Sequence, residues 1–283
     1  EPDLAEEMAQ RDVDGVGLLR AEFMIAQIGM HPRYALDHNK RDEFVDKLYQ
    51  GLLTFGRAFD PRPVVYRTSD FRTNEYLNLK GGKEYEADEE NPMIGFRGVA
   101  RYIADPEVLS MELEAIKKVR HYHKNLHVML PFVRTPDELK KAKKILADHG
   151  LHRGASFKLW IMVEVPSTVI MLEKFIGVGI DGISIGSNDL TQLVLGVDRD
   201  NAKLGELFDE RDGAVMWAMK HVVETCHEHG ITASICGQAP SVYPEITREL
   251  VHAGVTSVSV SPDMIDKTRK IIAEAEVDLV LSR

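Results

Sequence analysis

Short apolar runs that alternate with helical stretches constrain the fold of this 283-residue chain more than any other feature. Seven runs are candidate strands: residues 16–19, 63–67, 127–132, 159–164, 183–186, 232–236 and 257–260. They are nearly continuous in apolar residues rather than alternating, as expected for parallel strands that are buried on both faces. The pattern therefore predicts an α/β chain with a parallel sheet.

The stretches between these runs have helical periodicity. Leu109, Leu113, Ile116 and Val119 repeat at helical spacing, and Tyr243, Ile246 and Leu250 mark another helix. Seven strand–helix units predict a single domain over residues 1–283, a (β/α)₈ TIM barrel that lacks one strand. Because the chain opens in a helix at residues 2 to about 11, the missing first strand is expected upstream, and the chain is expected to be a fragment. The long polar segment 70–92 is predicted to be a loop over the site.

Bulk composition excludes several classes of protein. The net charge of −10 and the pI near 5.6 argue against a nucleic-acid binder. Two cysteines, Cys226 and Cys236, are too few for a disulfide framework and suit a reducing compartment. No apolar run approaches the roughly 18 residues of a membrane span, and the acidic start is not a signal peptide. We expect a cytoplasmic protein with neither nucleic acid nor membrane as partner.

Polar side chains recur where the candidate strands end, which is where barrel enzymes carry their active sites. Glu164 ends one strand, and the segment Gly186-Ser187-Asn188-Asp189 ends the next. Glu164 and Asp189 could together hold one Mg²⁺, which prefers a few carboxylate oxygens plus water and substrate oxygens. Mn²⁺ accepts the same ligands. The alternative for Asn188 and Asp189 is simple helix capping.

Two arginines occupy corresponding strand ends. Arg20 follows the first apolar run and Arg67 ends the second. A planar, permanently charged guanidinium is a natural donor to phosphate or carboxylate oxygens. The alternative for each is an ion pair with a nearby carboxylate such as Glu22 or Asp70.

Two further arginines are candidates for the same role. Arg97 could be a third donor, or it could anchor its own loop. Arg199 could assist, or it could pair with its neighbours Asp198 and Asp200.

One cysteine lies at a strand end. A lone cysteine in an apolar strand is usually an inert core residue, but Cys236 is followed by Gly237, which makes access plausible. A thiol can exchange a proton with carbon when its surroundings tune its pKa. Cys226, within a predicted helix, has only the core interpretation. Arginines, a carboxylate-bound cation and a thiol together indicate a site for a small phosphorylated or carboxylated acid.

The extended motifs resemble the C-terminal phosphoenolpyruvate/pyruvate-binding barrel of a family that includes phosphoenolpyruvate synthases, pyruvate phosphate dikinase and Enzyme I of the sugar phosphotransferase system. The matching segments are GLLRAEF (17–23), RTSD (67–70), NPMIGFR (91–97), EVP (164–166), GSNDLTQ (186–192), VDR (197–199) and CG (236–237). Gln238 after Cys-Gly is similar to the synthase branch, since Enzyme I and the dikinase usually carry Glu there.

The resemblance implies a role for each candidate. Arg20 and Arg67 would hold the phosphoryl group, with Arg97 and Arg199 assisting. Gly186, Ser187, Asn188 and Asp189 would orient the substrate, Glu164 and Asp189 would ligate Mg²⁺, and Cys236 would exchange the C3 proton. The implied reaction transfers a phosphoryl group from a phosphohistidine to the enolate of pyruvate.

The resemblance also implies partners. The family's phosphohistidine domain and ATP-binding domain are not recognisable in this sequence, so the chain alone is expected to bind pyruvate or phosphoenolpyruvate without completing ATP-driven synthesis. A homodimer or larger homo-oligomer through the barrel is expected. The alternatives are a dikinase barrel, a non-catalytic dimerisation and assembly module, and a Mg²⁺-dependent lyase or aldolase of the same fold.

Overall fold

The structure is a computed structural model that describes residues 2–282. It divides into two compact units. Unit 1 contains the chain up to Val133 together with Asp137–Leu159, and unit 2 contains Arg134–Pro136 and the chain from Trp160 onward.

Unit 1 carries three strands in which β1 pairs with β2 and β2 with β3, both in parallel. The strands are β1 (Val16–Arg20), β2 (Val64–Arg67) and β3 (Leu126–Leu130). The helices are α1 (Ala5–Ala9), α2 (Ala21–Ile28), α3 (Pro32–Asp37), α4 (Arg41–Phe59), α5 (Thr73–Tyr76), α6 (Gly82–Tyr85), α7 (Val99–Ala104), α8 (Pro106–Tyr122) and α9 (Pro136–Asp148), with 3-10 turns at Pro2–Leu4 and Pro92–Ile94.

Unit 2 carries four strands, each parallel to the next along the chain. The strands are β4 (Leu159–Val163), β5 (Gly182–Gly186), β6 (Thr232–Cys236) and β7 (Ser257–Val258). The helices are α10 (Pro166–Ile170), α11 (Leu172–Val178), α12 (Ser187–Leu195), α13 (Gly213–Glu228), α14 (Ala239–Val242), α15 (Pro244–Ala253) and α16 (Ile265–Leu281), with 3-10 turns at Gly205–Leu207 and Pro262–Met264.

Seven parallel strands that alternate with helices confirm the predicted α/β class of the TIM-barrel kind, with one strand fewer than eight. Strands β2 to β6 are mostly buried, as their continuous apolar composition predicted, whereas most residues of β1 and β7 are half-buried or exposed. Four strands are shorter than predicted, since β2 begins at Val64, β3 ends at Leu130, β4 at Val163 and β7 at Val258. Helix α8 buries Leu109, Leu113, Ile116 and Val119 completely, as their spacing predicted.

The prediction for segment 70–92 was incomplete. This segment contains the short helices α5 and α6 rather than a continuous loop. Buried ion pairs hold it, because the carboxylate of Glu86 receives the guanidinium of Arg101 at 2.6 and 2.7 Å and the ring of His31 at 2.9 Å. Polar composition predicted a loop, and it did not reveal that the side chain of Glu86 is buried and paired, while Lys83, Glu84 and Asp88 are exposed.

Across residues 2–282, no helix combines the length and the apolar character that a membrane crossing requires.

Candidate active site

The ends of β1 and β2 bring Arg20 and Arg67 together. The two residues are register partners on adjacent parallel strands, which lie about 4.8 Å apart in a sheet. Arg20 is exposed, and its side chain forms no hydrogen bond or ion pair with any residue that the structure describes. We call Arg20, Arg67, Glu22, Asp70 and Arg97 the arginine cluster.

Glu22, the second residue of α2, orients Arg67. Its Oε1 lies 3.0 Å from Nη2 of Arg67 and accepts a hydrogen bond from the backbone N–H of Asp70 at 2.5 Å. Oε2 of Glu22 is buried and makes no hydrogen bond within residues 2–282. The alternative interpretation of the two arginines, an ion pair with a nearby carboxylate, therefore holds for Arg67 and not for Arg20. A guanidinium anchored by an ion pair on one side is fixed in direction.

Arg97 is held by Asp70 in a bidentate pair. Its Nε donates to Oδ1 at 3.1 Å and its Nη2 donates to Oδ2 at 2.6 Å. Both residues are only 5% exposed, and the guanidinium stacks 4.0 Å from the ring centroid of Phe132. These contacts support the loop-anchoring interpretation of Arg97. A direct contact between Arg97 and substrate stays a prediction.

A buried carboxylate that the sequence interpretation missed lies behind this cluster. Glu112 of α8 is 1% exposed and accepts hydrogen bonds from the hydroxyls of Tyr66 and Ser69, both at 2.7 Å, and from the N–H of Ser69 at 3.1 Å. Burial raises the pKa of Glu112 to about 7, although these hydrogen bonds act in the opposite direction. The polar position on an amphipathic helix was its only sequence signal.

In unit 2, β4 and β5 place Glu164 beside Gly186. Glu164 follows β4 directly and is 2% exposed. A Cβ at Gly186 would lie 2.7 Å from Oε2 of Glu164 and 3.0 Å from its Cβ. Glycine at this position thus leaves the space that the carboxylate occupies. We call Glu164, residues 186–189 and Cys236 the carboxylate–thiol cluster.

The segment 186–189 does not cap its helix as the alternative proposed. The N-cap of α12 is Gly186, which has no side chain, so Asn188 and Asp189 lie inside the first turn. The Oδ1 of Asn188 instead accepts the N–H of Gln238 at 3.2 Å, and Oγ of Ser187 accepts the N–H of Ala239 at 3.4 Å. These two side chains connect the end of β5 to the chain that follows Cys236.

Cys236 ends β6 opposite Gly186, its register partner. Its Sγ donates to the carbonyl of Ile185 at 3.3 Å and accepts from Oγ of Ser184 at 3.4 Å, and the residue is 3% exposed. The thiol is therefore fixed against β5 at the strand end. Cys226, by contrast, lies in the core of α13, where burial raises its pKa to about 12, as expected of an inert thiol.

Arg199 and Glu210 occupy the chain after α12. Arg199 is exposed, and its Nε lies 3.9 Å from Asp200, which supports the local ion-pair alternative. Glu210, which sequence reasoning missed, is buried, and its Oε1 makes no hydrogen bond within residues 2–282. Burial raises the pKa of Glu210, although hydrogen bonding from Ser187 and the charge of Arg199 lower it in part.

The donor set of the carboxylate–thiol cluster suits a hard divalent cation. Glu164 and Asp189 offer carboxylate oxygens at successive strand ends, and the space left by Gly186 keeps the first of them in place. Within residues 2–282, no three His, Cys, Asp or Glu side chains gather in a group that could hold a metal. A cation on these two residues would complete its coordination with water and substrate oxygens.

Comparison with known families shows which family the chain belongs to. Residues 1–277 match the model of the PEP-binding domain of PEP-utilising enzymes, so the chain belongs to that family. The recognition made from the extended motifs is therefore confirmed.

The relatives of this chain carry a more particular name. It is 51% identical to a probable phosphoenolpyruvate synthase of Staphylothermus marinus, over 100% of this chain and 35% of that protein. It is also 51% identical to a phosphoenolpyruvate synthase of Aeropyrum pernix, over 95% and 34%, and 44% identical to one of Synechocystis, over 97% and 37%. The chain thus spans about a third of the length of these curated relatives. Among solved structures, RipC from Yersinia pestis has a TM-score of 0.49 at 14% identity, covering 93% of this chain and 91% of RipC, and is too distant to carry an argument.

Proposed function

We propose that this chain is the substrate-binding catalytic part of a phosphoenolpyruvate synthase, in which a phosphoryl group passes between a phosphohistidine and the enolate of pyruvate. The observation that carries the proposal is the register pairing of Arg20 and Arg67 at two strand ends of a chain that matches the PEP-binding domain. The relatives compared above are named phosphoenolpyruvate synthases, which favours this activity over that of a dikinase.

In this proposal the arginine cluster binds the phosphoryl group. Arg67 is already directed by Glu22, and Arg20 is exposed and available to an incoming anion. Positive charge next to the equatorial oxygens stabilises the charge that develops during phosphoryl transfer. Arg97 contributes by holding Asp70, and Arg199 by approaching the substrate from its exposed loop.

The carboxylate–thiol cluster handles the carbon end of the substrate. Glu164 and Asp189 would hold Mg²⁺, whose positive charge stabilises the enolate when it is bound. Residues 186–188 orient the substrate, and Sγ of Cys236, as the thiolate, takes a proton from C3 of pyruvate and later releases it to solvent. The enolate oxygen then forms a bond to phosphorus while the bond between phosphorus and the histidine nitrogen breaks, and the electron pair of that bond stays on the nitrogen.

We further propose that the histidine and the ATP site belong to other domains of the whole protein, and that the protein works as a homo-oligomer in the cytoplasm. The isolated chain would then bind phosphoenolpyruvate without making it from ATP and pyruvate. Formation of phosphoenolpyruvate by the purified chain, or a monomer of the whole protein in sedimentation, would contradict these parts of the proposal.

Calorimetric titration with phosphoenolpyruvate, with and without Mg²⁺, tests the proposed function. We expect Mg²⁺-dependent binding that Asp189→Ala weakens by more than the roughly 10–100-fold that outer-shell changes cost at metal sites. Asp278→Ala, on exposed α16 of the same unit, is the matched control and should leave binding unchanged. A folded chain that does not bind phosphoenolpyruvate at all would refute the proposal.

A further inference from the structure

The buried carboxylate of Glu112 has no part in the chemistry proposed above. We propose that Glu112 is a positioning residue for the phosphoryl site, which holds the turn at residues 68–70 and through it the direction of Arg67 and Arg97. This inference rests on the proposed function of the arginine cluster.

Glu112 holds the turn from both sides of Ser69. Its Oε1 accepts the hydroxyl of Ser69 at 2.7 Å, and its Oε2 accepts the backbone N–H of Ser69 at 3.1 Å. The same Oε2 accepts the hydroxyl of Tyr66, within β2, at 2.7 Å. One buried carboxylate thus ties the turn to the strand that carries Arg67.

Asp70, the residue after Ser69, links the turn to the two arginines Arg67 and Arg97. Its carboxylate makes the bidentate pair with Arg97, and its N–H donates to the Oε1 of Glu22 that also pairs with Arg67. A shift of the turn would therefore disturb the partners of both guanidinium groups at once.

The hydrogen-bond donors around Glu112 match an ionised carboxylate better than an amide. The hydroxyl of Tyr102 has a single hydrogen and lies 2.6 Å from the carbonyl of Ser69 and 3.1 Å from Oε1 of Glu112. The Tyr66 hydroxyl and both donors of Ser69 point at the carboxylate, which accepts at both oxygens. A glutamine has nearly the same volume but would turn an amide donor toward these donors, so Glu112→Gln changes hydrogen bonding rather than packing.

The test compares two ligands that differ by the phosphoryl group, phosphoenolpyruvate and pyruvate, titrated in the presence of Mg²⁺. In Glu112→Gln we expect the Kd of phosphoenolpyruvate to rise about tenfold, since charge-assisted contacts to its phosphoryl group are misaligned. The Kd of pyruvate, which lacks that group, should stay within about twofold of the unchanged chain. The matched control is Glu114→Gln, on the same helix but paired with Arg41 at the surface, which should alter neither Kd.

The outcomes separate this inference from the proposed function. Equal binding of phosphoenolpyruvate by Glu112→Gln and the unchanged chain, or an equal loss of both ligands, would overturn the positioning role. An unchanged chain that binds neither ligand would refute the proposed function instead. If Glu112→Gln does not fold, Ser69→Ala decides, because it removes one clamp on the turn and should weaken phosphoenolpyruvate selectively.

Discussion

At the scale of single residues, Gly186 shows how the absence of a side chain shapes a site. The residue has φ −86° and ψ 86°, a conformation that is open to L-amino acids, so backbone freedom is not the reason for glycine here. The reason is space, since a Cβ would lie 2.7 Å from Oε2 of Glu164 and 3.0 Å from Cε of Met162. The carboxylate and the start of α12 can approach only because this position is empty.

Gly186→Ala should therefore displace Glu164 from its place. We expect Mg²⁺-dependent binding of phosphoenolpyruvate to fall at least about tenfold, and the free energy of unfolding to fall by about 1–3 kcal/mol through overpacking. Titration calorimetry and urea denaturation measure the two effects. Gly213→Ala is the control, because an added Cβ there meets nothing within 4 Å. Unchanged metal dependence in Gly186→Ala would show that Glu164 does not need this space.

The pair formed by Asp70 and Arg97 carries the second prediction at this scale. Asp70→Asn leaves a buried guanidinium without its counter-charge, so we expect the free energy of unfolding to fall by about 3–5 kcal/mol. Adding Arg97→Met should recover part of the loss. Glu249→Gln breaks a pair with Lys220 whose side chains are 51% and 41% exposed, and should cost less than about 1 kcal/mol. Equal losses in the buried and exposed pairs would contradict this account.

At the scale of elements, α8 combines a hydrophobic face with one buried acid. Its apolar residues were predictable because their spacing repeats every turn. Glu112 was not predictable, because its hydrogen-bond donors belong to Tyr66, Ser69 and Tyr102. Of these, Tyr66 and Ser69 are 46 and 43 residues distant in the sequence. A local pattern distinguishes the core face of a helix but does not reveal which polar residue on that face has partners.

The raised pKa of Glu112 predicts how stability depends on pH. The pKa rises from an ordinary value of 4.5 to about 7 because burial disfavours the charged form. The stability contributed by protonated Glu112 is thus fully present below pH 4.5 and is lost as the pH rises through about 7, by on the order of 3 kcal/mol. Urea denaturation between pH 4.5 and 8 measures it, and Glu112→Gln should remove this component.

Glu114, two residues along the same helix, has a pKa shift of the opposite sign. Burial raises its pKa, but hydrogen bonding and charge from Arg41 outweigh burial, and its pKa is lowered overall. Its contribution is present above its unfolded pKa and is lost as the pH falls. A variant Glu114→Gln should therefore keep the loss between pH 4.5 and 7 that Glu112→Gln removes, and identical profiles for the two variants would contradict the assignment.

The strands were the most predictable elements. All seven apolar runs became strands, and their ends differed by at most two residues, because burial on both faces demands continuous apolar sequence. Segment 70–92 was predictable only as polar. Its two short helices are accompanied by contacts between residues that are distant in the sequence, such as that of Arg101 with Glu86, and no local sequence pattern reveals such contacts.

At the scale of the whole molecule, the family and the strand-end positions of the candidate residues could be predicted from the sequence. Parallel strands end at one edge in each unit, so residues such as Arg20 and Cys236 were identified by position alone. Their partners were not readable, because which carboxylate meets which arginine depends on side-chain geometry. Glu22 had been considered for either arginine, and only the structure assigned it to Arg67.

The whole chain should catalyse one partial reaction without ATP. In D₂O with Mg²⁺, we expect it to exchange the methyl protons of pyruvate for deuterium, because the proposed exchange needs only the carboxylate–thiol cluster. Cys236→Ser should slow this exchange by about 100-fold or more, the usual contribution of a positioned acid or base, while Cys226→Ser should not. Proton NMR of pyruvate follows the reaction. Unaltered exchange in Cys236→Ser would remove this thiol from the mechanism.

The two register-paired arginines differ in how much conformational freedom they retain. Arg67 loses its freedom when the chain folds, since Glu22 fixes it, whereas Arg20 keeps its rotamers until an anion arrives. Immobilising such a side chain costs up to about 2 kcal/mol of entropy. Arg67 loses this side-chain entropy during folding, whereas Arg20 loses it only when a ligand binds. The affinity for the phosphoryl group is therefore set partly by an ordering step, and release of product regains the entropy of Arg20.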